Sequence, residues 1–258
     1  MITLLINIKA EWLKTKGTAA MWLALIGAAF IPLISLLMFT IRPDHFLKDL
    51  SADPWQAHIY PAWRSASVFL LPMYVILTTS LIVQIEYRNN TWKQVYASPR
   101  SYANIYFSKF VVIQAMILSC FILFNVFLLL SGYATAIINS GYHFLQKPVP
   151  WRDLLLLSFK LYLSSLAITS IQYWLSLRLK NYIAPLGIGL ALLITGLIIL
   201  QWENIHYYPY AYTALSFFRG ANPGSSFALG KNEWYSLLWF GVVLLLGFVD
   251  TIRKKEYA

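Results

Sequence analysis

Residues 86–110, EYRNNTWKQVYASPRSYANIYFSKF, form a short basic segment between two long apolar runs. An Asn-Asn pair offers a helix cap near its start, and Ser98-Pro99 stops the helix after about two turns, because proline disfavours helix at the preceding residue. Ser101 then caps a helix that continues into the next apolar run, from Tyr102 to about Ile138. The pattern predicts a long helix, a short transverse helix over 91–97, a turn and a second long helix.

The composition places these long helices in a membrane. Hydrophobic residues make up 59% of the 258-residue chain and charged residues only 12%, whereas soluble domains have about 25% charged residues. Crossing a bilayer core of ~30 Å takes about 20 apolar residues in a helix. Runs of this kind lie at about 20–41, 65–85, 110–138, 154–177, 182–201 and 234–250. The sequence therefore predicts an all-α integral membrane protein, a single domain over 1–258 with six transmembrane helices.

The distribution of basic residues predicts the orientation. Lysine and arginine are concentrated in the N-terminal segment, the 86–110 segment, the 178–180 turn and the C-terminal tail. On the opposite side basic residues are fewer and acidic residues accompany them. Both termini and the 86–110 segment are thus expected in the cytoplasm. The net charge is +10, and the basic residues that produce it lie at the ends of the predicted spans. We therefore expect no nucleic-acid partner.

Two further segments are expected to lie in the membrane interface. Residues 1–18 have an apolar helical stripe that includes Leu5 and Trp12 and a polar stripe that includes Glu11 and Lys14, which is typical of an amphipathic interfacial helix. A simple extension of the first span is the alternative, although Gly17-Thr18 offers a bend. The aromatic segment 201–233 between the last two spans is expected to dip into the outer interface as short helices.

Polar side chains within the spans are candidates for a transport path. They are Lys160, Gln84, Gln114, Asn125 and Thr169. Ordinary hydrogen bonds between helices are the alternative, and Lys160 can also extend its ammonium to the outer interface.

Motifs for chemistry within this chain are missing from the sequence. No G-x-x-x-x-G-K-[ST] loop, which cradles nucleotide phosphates, is present, and the four histidines have no metal-ligand spacing. We expect neither catalysis nor a metal or cofactor bound by this chain.

The two-turn helix at 91–97 needs a covering surface, because a helix this short is marginal in water. It carries Trp92, Val95 and Tyr96 among basic residues, a combination that suits either the inner bilayer surface or a partner protein.

Glu86–Phe110 resembles the first cytoplasmic loop of ABC-2 type permeases, particularly the group of lantibiotic-immunity and bacitracin-export permeases. In that family an acidic residue ends the second span, a Gly-Thr or Asn-Thr pair opens a coupling helix, and a proline turn leads into a long third span with an early lysine. The corresponding residues here are Glu86, Asn90-Thr91, Pro99-Arg100-Ser101 and Lys109. The chain departs from many relatives at Asn90, where they have glycine, and at Tyr96-Ala97, where paired leucines are common.

The resemblance implies a function and a set of partners. It implies the permease subunit of an exporter in the bacterial cytoplasmic membrane, carrying a peptide, an antibiotic or a lipid-like substrate. A separate ATP-binding-cassette ATPase would bind ATP and Mg, and a second or paralogous permease would complete the path among membrane lipids. Residues expected to dock the ATPase or to couple it are Glu86, Arg88, Asn90, Thr91, Trp92, Lys93, Val95, Tyr96, Pro99 and Arg100. Glu86 is expected to orient the loop through Arg88, Lys93 or Arg100.

A rival hypothesis is a non-transport scaffold or sensor subunit. In that case the basic loop would bind anionic lipid or a protein other than an ATPase.

Overall fold

The computed structural model describes residues 2–43, 53–89, 91–97, 100–181, 183–220 and 227–253. Regular structure in these residues is helical. The helices are α1 (Ile2–Thr15), α2 (Ala19–Ile41), α3 (Pro54–Ser65), α4 (Leu71–Arg88), α5 (Trp92–Ala97), α6 (Tyr102–Ile138), α7 (Trp151–Arg178), α8 (Ile183–Ile198), α9 (Tyr212–Gly220) and α10 (Lys231–Arg253). A π-helical turn, Ala66–Leu70, joins α3 to α4 without a break.

Five helical segments are long and apolar enough to cross a membrane: Ala19–Ile41, Pro54–Arg88, Tyr102–Ile138, Trp151–Arg178 and Lys231–Arg253. The chain is therefore a multi-pass membrane protein. The remaining predicted span, 182–201, contains the 16-residue α8. At 1.5 Å per residue α8 is about 24 Å long, short of a ~30 Å core, so a sixth crossing stays a prediction.

The second span begins earlier than predicted, at Pro54 rather than near residue 65. Asp53 caps it by accepting a hydrogen bond from the Gln56 backbone N–H (3.2 Å), and Pro54 occupies the first turn, where proline is tolerated. His58, which precedes the predicted span, is buried and lies 3.0 Å from the Leu128 carbonyl and from Ser131 Oγ. The extension could not be recognised from the sequence, because the residues before residue 65 are polar. Their hydrogen-bond partners lie on a helix that is far away along the chain.

Neighbouring side chains approach the backbone closely at two glycines. A Cβ at Gly132 in α6 would lie 2.8 Å from the Trp55 ring, and one at Gly189 in α8 would lie 2.5 Å from Gln172 Oε1.

The bundle is organised around two long helices. The cap predicted at Ser101 is present, since its Oγ accepts a hydrogen bond from the Asn104 backbone N–H (3.3 Å) at the start of α6. The 37-residue α6 is about 55 Å long and packs against α1 and α2. Helix α7 packs against α4, α9 and α10.

Residues 205–220, which precede α10, are mostly helical, and more than half of them are buried. Two 3₁₀ turns, Ile205–Tyr207 and Pro209–Ala211, lead into α9, which packs against α7. The side chains of Tyr210, Tyr212 and Phe217 are buried. Insertion of this segment into the outer membrane interface stays a prediction.

Candidate functional site

Four charged side chains meet where α4 ends and α6 begins. Lys14 Nζ lies 2.5 Å from Glu11 Oε1 and 3.0 Å from Glu86 Oε1, whereas Lys109 Nζ lies 2.6 Å from Glu11 Oε2 and 2.7 Å from Glu86 Oε2. Each lysine thus contacts both carboxylates. We call these four residues the charge ring; it joins α1, the end of α4 and the start of α6.

Most of the charge ring is withdrawn from solvent. The side chains of Glu86, Lys109 and Glu11 are only 1%, 2% and 7% exposed, whereas Lys14 is 35% exposed. Desolvating ions is costly, and a buried ion without its partner is strongly destabilising. The ring balances its charges, so the three buried members depend on one another and Lys14 forms the edge that faces solvent.

Helix α1 contributes to the ring because it turns its polar stripe toward the protein. Asn7, Glu11 and Thr15 are buried, whereas Leu5 and Leu13 are more than half exposed. In a water-soluble protein the exposed apolar stripe would be unfavourable, but it suits a helix whose outer face meets lipid. The interfacial position of α1 stays a prediction.

Ion pairing shifts the pKa values of the two α1 members. Burial alone would raise the pKa of Glu11, but Lys109 and Lys14 outweigh burial and hold that pKa below its ordinary value. Burial alone would lower the pKa of Lys14, but its bonds to Glu11 and Glu86 raise that pKa instead. Both residues are therefore charged at neutral pH.

The short helix α5 is attached directly to the charge ring. The Thr91 backbone N–H donates to the Glu86 carbonyl (3.0 Å), which fixes the chain as it leaves α4. The Trp92 ring lies 5.3 Å from the Tyr87 ring, and Lys109 Nζ lies 6.0 Å from the Trp92 centroid, within reach of a cation–π contact. Trp92 is therefore turned toward the helical bundle.

Tyr87 extends this attachment to the next long helix. Its hydroxyl donates to the Leu177 carbonyl near the end of α7 (2.7 Å). Helix α5 thus contacts side chains that belong to α4 and α6 and, through Tyr87, reaches α7.

The structure gives Glu86 different partners from those expected. The sequence suggested Arg88, Lys93 or Arg100. The described ion pairs are with Lys14 and Lys109, and the side chain of Lys93 lies outside what the structure describes. Arg88 and Arg100 are exposed, whereas the two lysines approach Glu86 from other helices.

The other expected coupling residues are placed as follows. Thr91 and Val95 are half-buried, and α5 includes the backbone of Lys93 and Tyr96. Asn90 and Pro99 lie outside the described residues.

Sequence reasoning missed the contributions of α1 to this site. Glu11 and Lys14 were recognised only as members of a polar stripe, although their i,i+3 spacing places them on one helix face. Lys109 was recognised only as the early lysine of the third span. The sequence did contain a signal for a buried ion pair. Glu86 lies at the end of one long helix and Lys109 lies near the start of the next, so the two opposite charges are expected at a similar level of the bundle.

Three of the five candidates for a transport path form hydrogen bonds with nearby side chains or backbone. Gln114 Oε1 accepts from Tyr162 (2.9 Å), Asn125 Nδ2 donates to Ser158 (3.0 Å), and Thr169 donates to the Ser165 carbonyl within α7 (2.8 Å). Gln84 is half-buried, and Lys160 is buried beside the end of α9. These bonds match the alternative of ordinary hydrogen bonding, and a shared path stays a prediction.

A different polar contact links four elements of the bundle. Gln172 in α7 donates to Ser80 Oγ (2.9 Å) and to the Pro185 carbonyl (2.8 Å), and its Oε1 accepts from the Tyr210 hydroxyl (3.3 Å). This buried amide joins α4, α7, α8 and the 3₁₀ turn at Pro209–Ala211.

Among the described residues, no group of three or more histidine, cysteine or acidic side chains is arranged to hold a metal ion.

A known protein family matches most of the chain. The model of the family described as ABC-2 family transporter protein matches residues 7–196. The match begins within α1 and includes the whole charge ring and α5. No curated protein shows significant similarity to the chain.

Proposed function

Because the chain belongs to the ABC-2 family of transporter proteins, we propose that it is the membrane-spanning permease subunit of an exporter driven by a separate ATP-binding-cassette ATPase. The ATPase would bind ATP and Mg. This chain would respond to the resulting movement, with a second permease completing the export path. A peptide, an antibiotic or a lipid-like molecule is the proposed cargo, in line with the resemblance of the 86–110 segment to lantibiotic-immunity and bacitracin-export permeases.

The observation that carries the proposal is the attachment of α5 to the charge ring. The side chain of Gln94 is exposed on α5, while Trp92 is half-buried against Tyr87 and Lys109. Helix α5 therefore has an outer side that is open to a partner and an inner side attached to the bundle. We propose that the ATPase contacts the outer side, with Arg88 and Arg100 nearby in sequence.

The buried ion pairs provide a way to pass this contact to the transmembrane helices. A push on α5 moves Trp92, and Trp92 contacts side chains of both α4 and α6. The charge ring couples these two helices to α1, and separating them would leave charges unpaired in a buried site, which is unfavourable. The three helices would therefore move together rather than slide independently.

The membrane orientation follows the basic residues. The 86–110 segment and both termini would lie in the cytoplasm of a bacterial cell, by the positive-inside rule. That placement brings α5 to the side of the membrane where ATP is available.

Association and coupling are tested separately with the purified complex. Arg88→Glu with Arg100→Glu should lower retention of the ATPase, because these exposed side chains face solvent beside α5. Trp92→Ala should retain the ATPase but lower substrate-stimulated ATP hydrolysis, because the inner attachment of α5 is lost. Retained association after both arginine changes, or normal stimulation in the Trp92 variant, would contradict these assignments.

A further inference from the structure

An apolar groove lies between α1, α2 and α6, beside the charge ring. It encloses about 500 Å³, within the size range of pockets that hold small molecules. Its walls include Trp12 in α1, Lys16 in the turn after α1, Trp22 and Leu25 in α2, and Met116 and Leu123 in α6. Met116 and Leu123 are seven residues apart, so the groove follows α6 for about 10 Å.

We infer that this groove binds one anionic phospholipid from the membrane leaflet in which α1 lies. The lining is almost entirely apolar, and the side chains of Trp22 and Leu25 are exposed toward the surroundings of the bundle. An acyl chain is the apolar molecule that a bilayer supplies at this position. The groove is bounded on three sides by helices, so a chain inside it exchanges part of its lipid contacts for protein contacts.

The polar end of the groove favours a negative headgroup. Lys16 is exposed and lines the groove at the turn between α1 and α2, where Gly17 has a φ of +72°. A basic residue at the membrane surface raises the affinity for an anionic lipid by about fivefold. Trp12 and Trp22 flank the same end, and tryptophan is enriched at headgroup level. The charge of Lys16 therefore distinguishes this lipid from zwitterionic neighbours.

The position of the groove ties lipid binding to the charge ring. Thr15 lines the groove directly after Lys14, and Met116 lies two turns beyond Lys109 on α6. A bound acyl chain would contact both helices that the Glu11–Lys109 pair joins. Lipid occupancy should therefore stabilise the packing of α1 against α6. This conclusion does not depend on an ATPase partner.

Native mass spectrometry of the purified chain tests the inference. The chain is released from detergent after incubation with dioleoyl phosphatidylglycerol or dioleoyl phosphatidylcholine, and the bound lipids are counted. Lys16→Glu removes the headgroup contact, with Lys9→Glu as its control, an exposed lysine of α1 outside the groove. Ser119→Phe fills the groove from α6, with Ile122→Phe as its control on the exposed side of the same helix.

The expected result is one retained phosphatidylglycerol per chain, at least fivefold above phosphatidylcholine, in the wild type and in both controls. Lys16→Glu should abolish the preference, and Ser119→Phe should abolish retention. If Ser119→Phe does not give a monodisperse protein, the two lysine variants decide the question. Equal retention of the two lipids, equal effects of Lys9→Glu and Lys16→Glu, or a disulfide-linked dimer of Met21→Cys in native membranes would overturn the inference, the last by placing a second copy on the groove.

Discussion

Replacing Lys109 with methionine should destabilise the protein more than any single change at the solvent-facing edge of the charge ring. Lys109 lies between the carboxylates of Glu11 and Glu86, at 2.6 and 2.7 Å. Methionine preserves much of the side-chain length but leaves both carboxylates to share Lys14. Removing one partner of a buried ion pair costs about 3–5 kcal/mol, which corresponds to a fall in melting temperature of roughly 10 °C for a chain of this size.

Lys14→Met is the matched control, since it removes the same charge from the same ring. Its side chain is 35% exposed, so water screens its ion pairs. Water can also solvate the carboxylate charge that loses its partner in the variant. Exposed ion pairs contribute about 0–1 kcal/mol, and we therefore expect a fall of only a few degrees, about 3 °C at most.

A second substitution separates lost charge balance from lost packing. Lys109→Met with Glu86→Gln leaves Glu11 paired with Lys14 and removes the surplus negative charge. The double variant should regain a substantial part of the stability lost in Lys109→Met, a non-additive result of the kind that contacting residues show.

Thermal unfolding of detergent-solubilised protein, followed by size-exclusion chromatography with fluorescence detection, measures all four proteins. Equal losses for Lys109→Met and Lys14→Met would refute the asymmetric burial of the ring. A double variant that is less stable than Lys109→Met would refute charge balance as the cause.

Three other outcomes can be measured with the same preparations. Trp92→Ala should increase hydrogen exchange in the α5 backbone, whereas Gln94→Ala should not. Of these two side chains, only Trp92 contacts Tyr87 and Lys109. Equal exchange in the two variants would contradict the attachment of α5 through Trp92. Glu11→Gln should remove a stability contribution that is fully present above pH 4.5, the ordinary pKa of a glutamate, and is lost as the pH falls through the lower folded pKa; a difference in melting temperature that grows on acidification would be the wrong sign. Gly132→Ala should lower the melting temperature by several degrees, since its Cβ would lie 2.8 Å from the Trp55 ring; an unchanged value would show that the ring can move aside.

The helical layout was largely predictable from local sequence, because an apolar run and its flanking caps depend on neighbouring residues. The start of α6 at Tyr102 followed from Ser101, and the break after α1 followed from Gly17-Thr18. The start of the second span at Pro54 was not predictable in the same way. His58 reads as a loop residue until its partners on α6 are known, and those partners lie 70 residues or more away.

The candidate site shows the same division between local and long-range information. The position of α5 followed from the Asn-Asn pair and from Ser98-Pro99. Its inner face did not, because Trp92 among basic residues equally suits a partner protein or a lipid surface. The orientation of α1 depends on Lys109, nearly a hundred residues later, which holds Glu11 inside the protein. Hydrophobic patterning alone indicates which stripes α1 has, but not which stripe faces the bundle.

The proposal that α5 meets an ATPase is tested most directly by site-specific crosslinking in native membranes. A photo-reactive residue is placed at Gln94, the exposed position of α5, and at Trp202 as a control beyond the other end of the bundle. We predict a crosslinked product at Gln94 that contains an ATP-binding-cassette ATPase, with none at Trp202. A product at Gln94 that contains only lipid or a protein without an ATP-binding cassette would contradict the proposed permease function.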